Sequence, residues 1–192
     1  MPADPDASKC YDPTPEEYYY GYGCTIVSTG QKIPIAAEFT ESKQAPEETA
    51  MRVTSDALAV AQPMWMVGDS AYDTLDWHDH LLTAGVVPVA PYNPRNTDDP
   101  LDIEYRVEDR IEKHGEDVQL KQSVLDKTYD RRSQVERTND AVKACGLGTL
   151  RARGRVQARA QVFLALCLRL VVAIANYERG DNPGSTIITV WD

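Results

Sequence analysis

The chain has 192 residues, enough to bury the core of one domain, and 42% of them are hydrophobic, the composition of a soluble globular protein. Its net charge of −10 excludes a uniformly basic nucleic-acid coat. Cys10, Cys24, Cys145 and Cys167 have no paired short spacing, which argues against a zinc site or a disulfide framework and for a reducing cytoplasm.

Residues 1–20 are rich in Pro, Asp and Tyr and read as an irregular lead-in; the polar start MPADPDASK does not resemble a signal peptide. GYGCTIVS and KIPIAAEFT, separated by Thr29-Gly30-Gln31, read as an antiparallel hairpin. Residues 47–61 have helical spacing, with Met51, Ala57, Leu58 and Ala61 available for a core face. The apolar run Met64 to Val67 reads as a buried strand closed by Gly68-Asp69, so that Asp69 projects from the strand's C-terminal end, where open α/β sheets place functional groups. The bland alternative makes Asp69 a helix cap. Asp73 directly precedes TLDWHDHLL and is assigned the capping role for a helix over 74–84, which stops at Gly85. His78 and His80 read as a solvated part of that helix.

VVPVA (86–90) reads as the next strand, PYNPRN breaks regularity, and 98–121 reads as a charged connecting insertion with partial helix. A helix follows over roughly 122–145, ending near Gly146. The segment from Gln157 to Tyr177 is apolar nearly all round, yet Arg169 sits in its middle. A central arginine costs about 2.5–3.5 kcal/mol on membrane-insertion scales, so a buried core helix whose guanidinium reaches the surface is preferred to a membrane span.

Charge is unevenly distributed. Residues 129–179 carry a balance of +6, whereas residues 1–128 carry −14. The basic segment bears a distinctive row: Tyr129, Arg132, Glu136 and Lys143. At about 100° per residue these offsets fall within a stripe of about 60° on one helix face. Taken singly, each is an ordinary solvated side chain, and Arg132–Glu136 is an i,i+4 pair worth about 0.3–0.5 kcal/mol. Together they form Y-x2-R-x3-E-x6-K, the signature around the last acidic residue in one large group of insertion-sequence DDE transposases, which the chain resembles. MWMVGDSAYDT (64–74) matches the family's second catalytic Asp, followed by x-x-Tyr-Asp.

The resemblance implies an α/β, ribonuclease-H-like mixed sheet flanked by helices. It implies a partial catalytic domain over 21–179 and a tail over 180–192. That fold begins with a central strand bearing the first catalytic Asp. Asp4, Asp6 and Asp12, the only upstream aspartates, lie in proline-rich contexts unsuited to such a strand, so the chain reads as an N-terminally truncated transposase lacking it. Asp69 and Glu136 are the implied catalytic metal ligands, for Mg2+ or Mn2+, and Tyr129, Arg132 and Lys143 the implied DNA contacts. DNA, as element ends and target, is the implied partner, engaged by a homodimer or higher assembly. With one carboxylate absent, the chain alone is expected to be inactive. A non-catalytic DNA-binding remnant or repressor, a general metal-dependent nuclease and an inert gene product are the rival readings.

The acidic bulk of the chain suits folding in concentrated salt, where screening relieves self-repulsion. The unfolding midpoint should rise between dilute buffer and molar KCl, as followed by circular dichroism; a stability maximum in dilute buffer would refute this.

Overall fold

Among the described residues, six strands and four α-helices follow one another in the order β1 (Ser8–Asp12), β2 (Glu17–Gly21), β3 (Gly23–Ser28), β4 (Pro34–Thr40), α1 (Glu47–Val60), β5 (Trp65–Val67), α2 (Leu75–Thr83), β6 (Val87–Val89), α3 (Ser133–Val142) and α4 (Arg155–Glu178). The computed structural model describes residues 4, 6–12, 16–41, 47–91, 93, 127–151 and 153–186. The charged insertion 98–121 and the start of the helix expected from 122 lie outside them. The chain is α/β, but the strands pair as three separate two-stranded sheets and not, among the described residues, as one mixed sheet. Two compact units result: residues 1–57 with 134–192, and residues 58–133.

The first unit opens on a correction. The lead-in expected to be irregular is an antiparallel hairpin, β1–β2, in which Cys10 faces Tyr19 and Lys9 faces Tyr20. Its tyrosines favour a pleated surface, and the prolines that suggested irregularity, Pro13 and Pro15, fall between the strands. Lys9 Nζ lies 4.1 Å from the centre of the Tyr18 ring, a diagonal cross-strand contact. The second hairpin, β3–β4, is where the alternating pattern put it, with Ile26 opposite Ala37 and Cys24 opposite Phe39. Its turn is longer than three residues: Thr29 N donates to Ile33 O, and Lys32 takes a φ of +61°. On α1 the buried face is Thr49, Val53, Thr54, Ala57 and Leu58; Met51 is only half-buried, and Ala61 lies beyond the helix.

Val142 of α3 and Val162, Ala165 and Leu166 of α4 form a core against Cys24, Ile26, Ala37 and Phe39 of the second hairpin. Burial pushes the Cys24 thiol up to about 11, and all four cysteines are free. Ser28 and Thr138 hydroxyls meet at 3.0 Å, tying β3 to α3. Gly146, at φ +107°, ends the helical run, and the Gln161 amide donates to Gly146 O and Thr149 O at 3.1 and 2.8 Å, fastening that turn to α4.

Helix α4 is long and apolar enough to cross a membrane by length and composition. One face is nevertheless packed inside this unit, and Arg169 on that face is 0% exposed. The guanidinium does not reach the surface as expected. It donates to Lys32 O in the β3–β4 turn at 3.2 Å and to Pro183 O after the helix at 2.8 Å. Burial pulls its pKa below the usual arginine value.

The start of α4 has no cap of its own, because Gly154 stands at that position. The lead-in supplies one. Asp4 Oδ2 accepts from Gly154 N at 2.7 Å and from the Tyr22 hydroxyl at 3.0 Å, and Asp6 Oδ2 accepts from Arg155 N at 3.1 Å. Two carboxylates therefore satisfy orphan donors at the positive end of a 24-residue helix. Burial and Asp4 push Tyr22 up to about 12.

In the second unit β5 and β6 pair in parallel, Trp65 with Val87 and Val67 with Val89, joined by α2 as crossover. Val87 and Val89 pack against Trp65, Val67 and Tyr129, and α2 buries Trp77, His78, Leu81 and Leu82. Val87 N donates to Met64 O, and Gly68 N donates to Val89 O. Residues 87 and 89 thus direct their backbone polar groups at β5, and the missing N–H of Pro88 falls on the outer edge of β6. That edge cannot complete another ladder, so the outer edge of β5 is the side where a further strand can pair.

The hydrogen bonds from Gly154 N, Asp6 N and Tyr22 hold Asp4 below the usual carboxyl value of 3.8. The sign follows from linkage: this contribution is full above the unfolded pKa and fades as pH falls through the lower folded one. Asp4→Ala should therefore lower Tm at pH 7, with the gap to wild type closing as pH falls below about 4; a pH-independent gap would refute the cap. Arg169→Met should cost about 3 kcal/mol in urea unfolding, through two orphaned carbonyls, and a loss under 0.5 kcal/mol would show that the contacts are dispensable.

Candidate functional site

Asp69 stands directly past the end of β5, as the sequence pattern requires. The strand stops at Val67 because Gly68 and Asp69 turn the chain into a 3-10 turn, Ser70–Tyr72. Gly68 is needed there: a Cβ on it would lie 2.8 Å from Tyr72 Cβ. The Asp69 side chain is exposed, and its Oδ1 accepts from Ala71 N at 2.8 Å. Asp69 is therefore the cap of this short turn, and it keeps acceptor capacity beyond that one bond. Capping and cation binding are compatible: the bond fixes the carboxylate in an exposed position at a strand end.

Asp73 does not cap α2, contrary to expectation. Thr74 does, its hydroxyl accepting from Trp77 N at 3.4 Å. Asp73 is instead buried, its Oδ2 accepting from Asn93 N at 2.8 Å and its Oδ1 lying 3.5 Å from His78 Nε2. His78 is likewise buried and not solvated. The signal for this was present: Trp77, His78, Leu81 and Leu82 fall within about 140° of one helix face, so the histidine sits on the apolar side.

The stripe residues occupy a helical run that is not uniform. A 3-10 turn, Asp130–Arg132, precedes α3, and a wide turn, Lys143–Leu147, follows it. Tyr129 belongs to the second unit, half-buried with its ring packed against Val87 and Val89, so its aromatic face serves the core there. Arg132 closes the 3-10 turn. Glu136 and Lys143 belong to the first unit and are both exposed. Helix α3 buries Thr138, Ala141 and Val142, and the seven-residue separation of Glu136 and Lys143 puts them within about 20° of each other on the opposite face. A carboxylate and a cation thus share one solvent-facing row.

Asp69 and Glu136 lie in different units, and each belongs to the geometry of its own. Among the described residues no group of three or more His, Cys, Asp and Glu side chains is assembled for a metal ion. The donor chemistry of the two carboxylates suits a hard divalent cation of the magnesium type, which takes oxygen ligands and retains water. Asp4 and Asp6, two of the three upstream aspartates, are engaged at the start of α4.

The chain matches the transposase DDE domain over residues 2–171. It belongs to that family. Over 190 residues, 99% of its length, it is 86% identical to a protein of Halobacterium salinarum strain R1 named "Probable transposase for insertion sequence element ISH11", and to its namesake in strain NRC-1. The chain spans 58% of the length of each of these relatives. No solved structure matches it.

Proposed function

We propose that the chain forms the body of a DNA transposase catalytic domain, with a ribonuclease-H-like architecture completed by sequence that the longer relatives carry. The observation that carries this reading is Asp69, an exposed, oriented carboxylate at the C-terminal end of a parallel strand, in a chain of the DDE family. The separate pairs β3–β4 and β5–β6 and the outer edge of β5, unpaired among the described residues, support it, since one more strand pairing with β5 would begin to build a larger sheet. Such a strand would bring the first acidic residue to the level of Asp69.

In this reading Asp69 and Glu136 are two of three carboxylates that hold Mg2+ or Mn2+. When bound, such ions activate an attacking oxygen and stabilise the departing one during in-line displacement at a phosphodiester. The protein's own part is positioning and charge. Asp69 is held by Ala71 N, so its carboxylate is oriented before any cation arrives. Lys143, beside Glu136 on the α3 row, and Arg132 neutralise backbone phosphate, and the Tyr129 hydroxyl contacts the same strand while its ring stays in the core. The +6 segment 129–179 gives this grip its local field within an acidic chain. DNA ends and target are the substrates, cytoplasmic in location, and a homodimer or higher assembly brings two ends together.

The test compares the 192-residue chain with a version extended to the relatives' full length by their remaining residues. Mg2+-dependent cleavage at element ends, and joining of a pre-cleaved end to target, should appear only in the extended protein. Asp69→Ala and Glu136→Ala should each lower it by about 10^3-fold, the scale of removing a charge-stabilising group. Cleavage by the 192-residue chain itself, abolished by Asp69→Ala, would refute the incomplete-domain reading. Cleavage without joining would favour a nuclease, and DNA binding that survives Glu136→Ala with no cleavage in any form would favour a repressor.

A further inference from the structure

The Asp69 carboxylate is presented by a turn of only three residues, too short to hold a shape by itself. Its orientation depends on what anchors the turn's far end. That anchor is Asp73, whose backbone N donates to Ser70 O at 3.3 Å, closing the turn. The Asp73 carboxylate, 5% exposed as a residue, then accepts a hydrogen bond from Asn93 N, after β6, at 2.8 Å and lies 3.5 Å from His78 Nε2, in α2, a charge contact and not a hydrogen bond. Tyr72, seated over Gly68, meets the ring of Trp77, the neighbour of His78, in a tilted contact at 5.3 Å.

One buried side chain thus ties together the turn after β5, the chain after β6 and the crossover helix. A carboxylate and an imidazole in an apolar interior are a poor means of gaining stability, because apolar groups of similar size commonly do as well or better. What such a pair offers is a fixed arrangement. Around metal ligands, outer partners of this kind set ligand orientation, and their loss costs about 10- to 100-fold in metal affinity.

We propose that Asp73 and His78 are a positioning pair for Asp69, holding its carboxylate in the orientation that accepts a divalent cation. This rests on the reading of Asp69 as a metal ligand. Neither residue touches the cation; both act through the turn.

The experiment uses the 15N-labelled 192-residue chain and Mn2+ alone, read as paramagnetic broadening of the amides of residues 68–72, with folding checked by circular dichroism for every variant. Wild type should show saturable broadening that Asp69→Asn removes. Asp73→Asn and His78→Leu should weaken the apparent Mn2+ affinity about tenfold, and His78→Gln, which keeps an N–H donor, should recover most of it while matching His78→Leu in any loss of Tm. Broadening that depends on Asp69 but is unchanged in folded Asp73→Asn and His78→Leu would overturn the positioning role and leave the metal reading intact. Broadening absent from wild type, or unaffected by Asp69→Asn, would overturn the metal reading and the positioning role with it. If His78→Gln fails to restore affinity while restoring Tm, the pair is a stabilising contact and the proposal falls.

Discussion

The parallel pairing of β5 with β6 is the constraint from which the Asp69 region follows. Parallel strands cannot be joined by a tight turn, so a crossover must lie between them, and α2 fills that role over nine residues. Both strands then end on the same side, and the chain leaving β5 is free of the ladder at Gly68. A carboxylate placed there is neither inside the sheet nor on a loose loop. The valines of β6 supply the core on which Trp65, Val67 and Tyr129 pack, and Pro88 between them closes one edge of the pair to further strands. The same three residues that bury the unit therefore decide on which side it can grow.

The first unit is organised by polar groups that reach across long stretches of chain. Arg169 sits in the middle of an apolar helix and bonds to backbone carbonyls 137 residues before it and 14 after it. Asp4 and Asp6 cross 150 and 149 residues to the start of the same helix. These bonds join the acidic lead-in to the basic segment and engage the lead-in carboxylates where donors would otherwise be orphaned. Apolar packing of α3 and α4 on the second hairpin fills the core, but the polar bonds select one alignment among the many that an all-round apolar helix could adopt. The solvent row of Glu136 and Lys143 is a by-product of that alignment, since Thr138, Ala141 and Val142 take the inner face.

Much of this organisation was legible in the sequence, and the failures have physical reasons. Alternation located the β3–β4 hairpin, helical spacing located α1, and short or long apolar runs bounded by turn residues located the strand before Asp69, β6 and the long final helix. The β1–β2 hairpin is hidden in the sequence because the Asp and Pro residues of the lead-in outweigh the strand preference of its tyrosines. An aspartate directly before a helix usually caps it, but Thr74, one residue later, competes for that role and wins, which releases Asp73 to the interior. Arg169, expected to reach the surface, is held in the interior by two backbone carbonyls, and no local pattern announces partners that far along the chain. The family signature points to Asp69 and Glu136 by residue type and spacing, whereas the buried Asp73–His78 contact is visible only once α2 has been folded onto the turn.

Exposure of both acidic residues also bears on how the proposed chemistry would be organised. Unit charges about 4 Å apart interact by about 1 kcal/mol in bulk water and about 4 kcal/mol near a protein surface. A solvated carboxylate therefore grips a divalent ion weakly, and most of the attraction it could exert is spent in competition with water. A third carboxylate at the outer edge of β5 would raise the local negative charge, and a DNA strand laid over the site would displace solvent and bring phosphate oxygens of its own. Both changes strengthen the same contacts without moving Asp69, provided its orientation is already fixed. On this argument the rigidity of the turn after β5 matters more than the affinity of the isolated carboxylate, because orientation is what the folded unit can supply before the rest of the site is assembled.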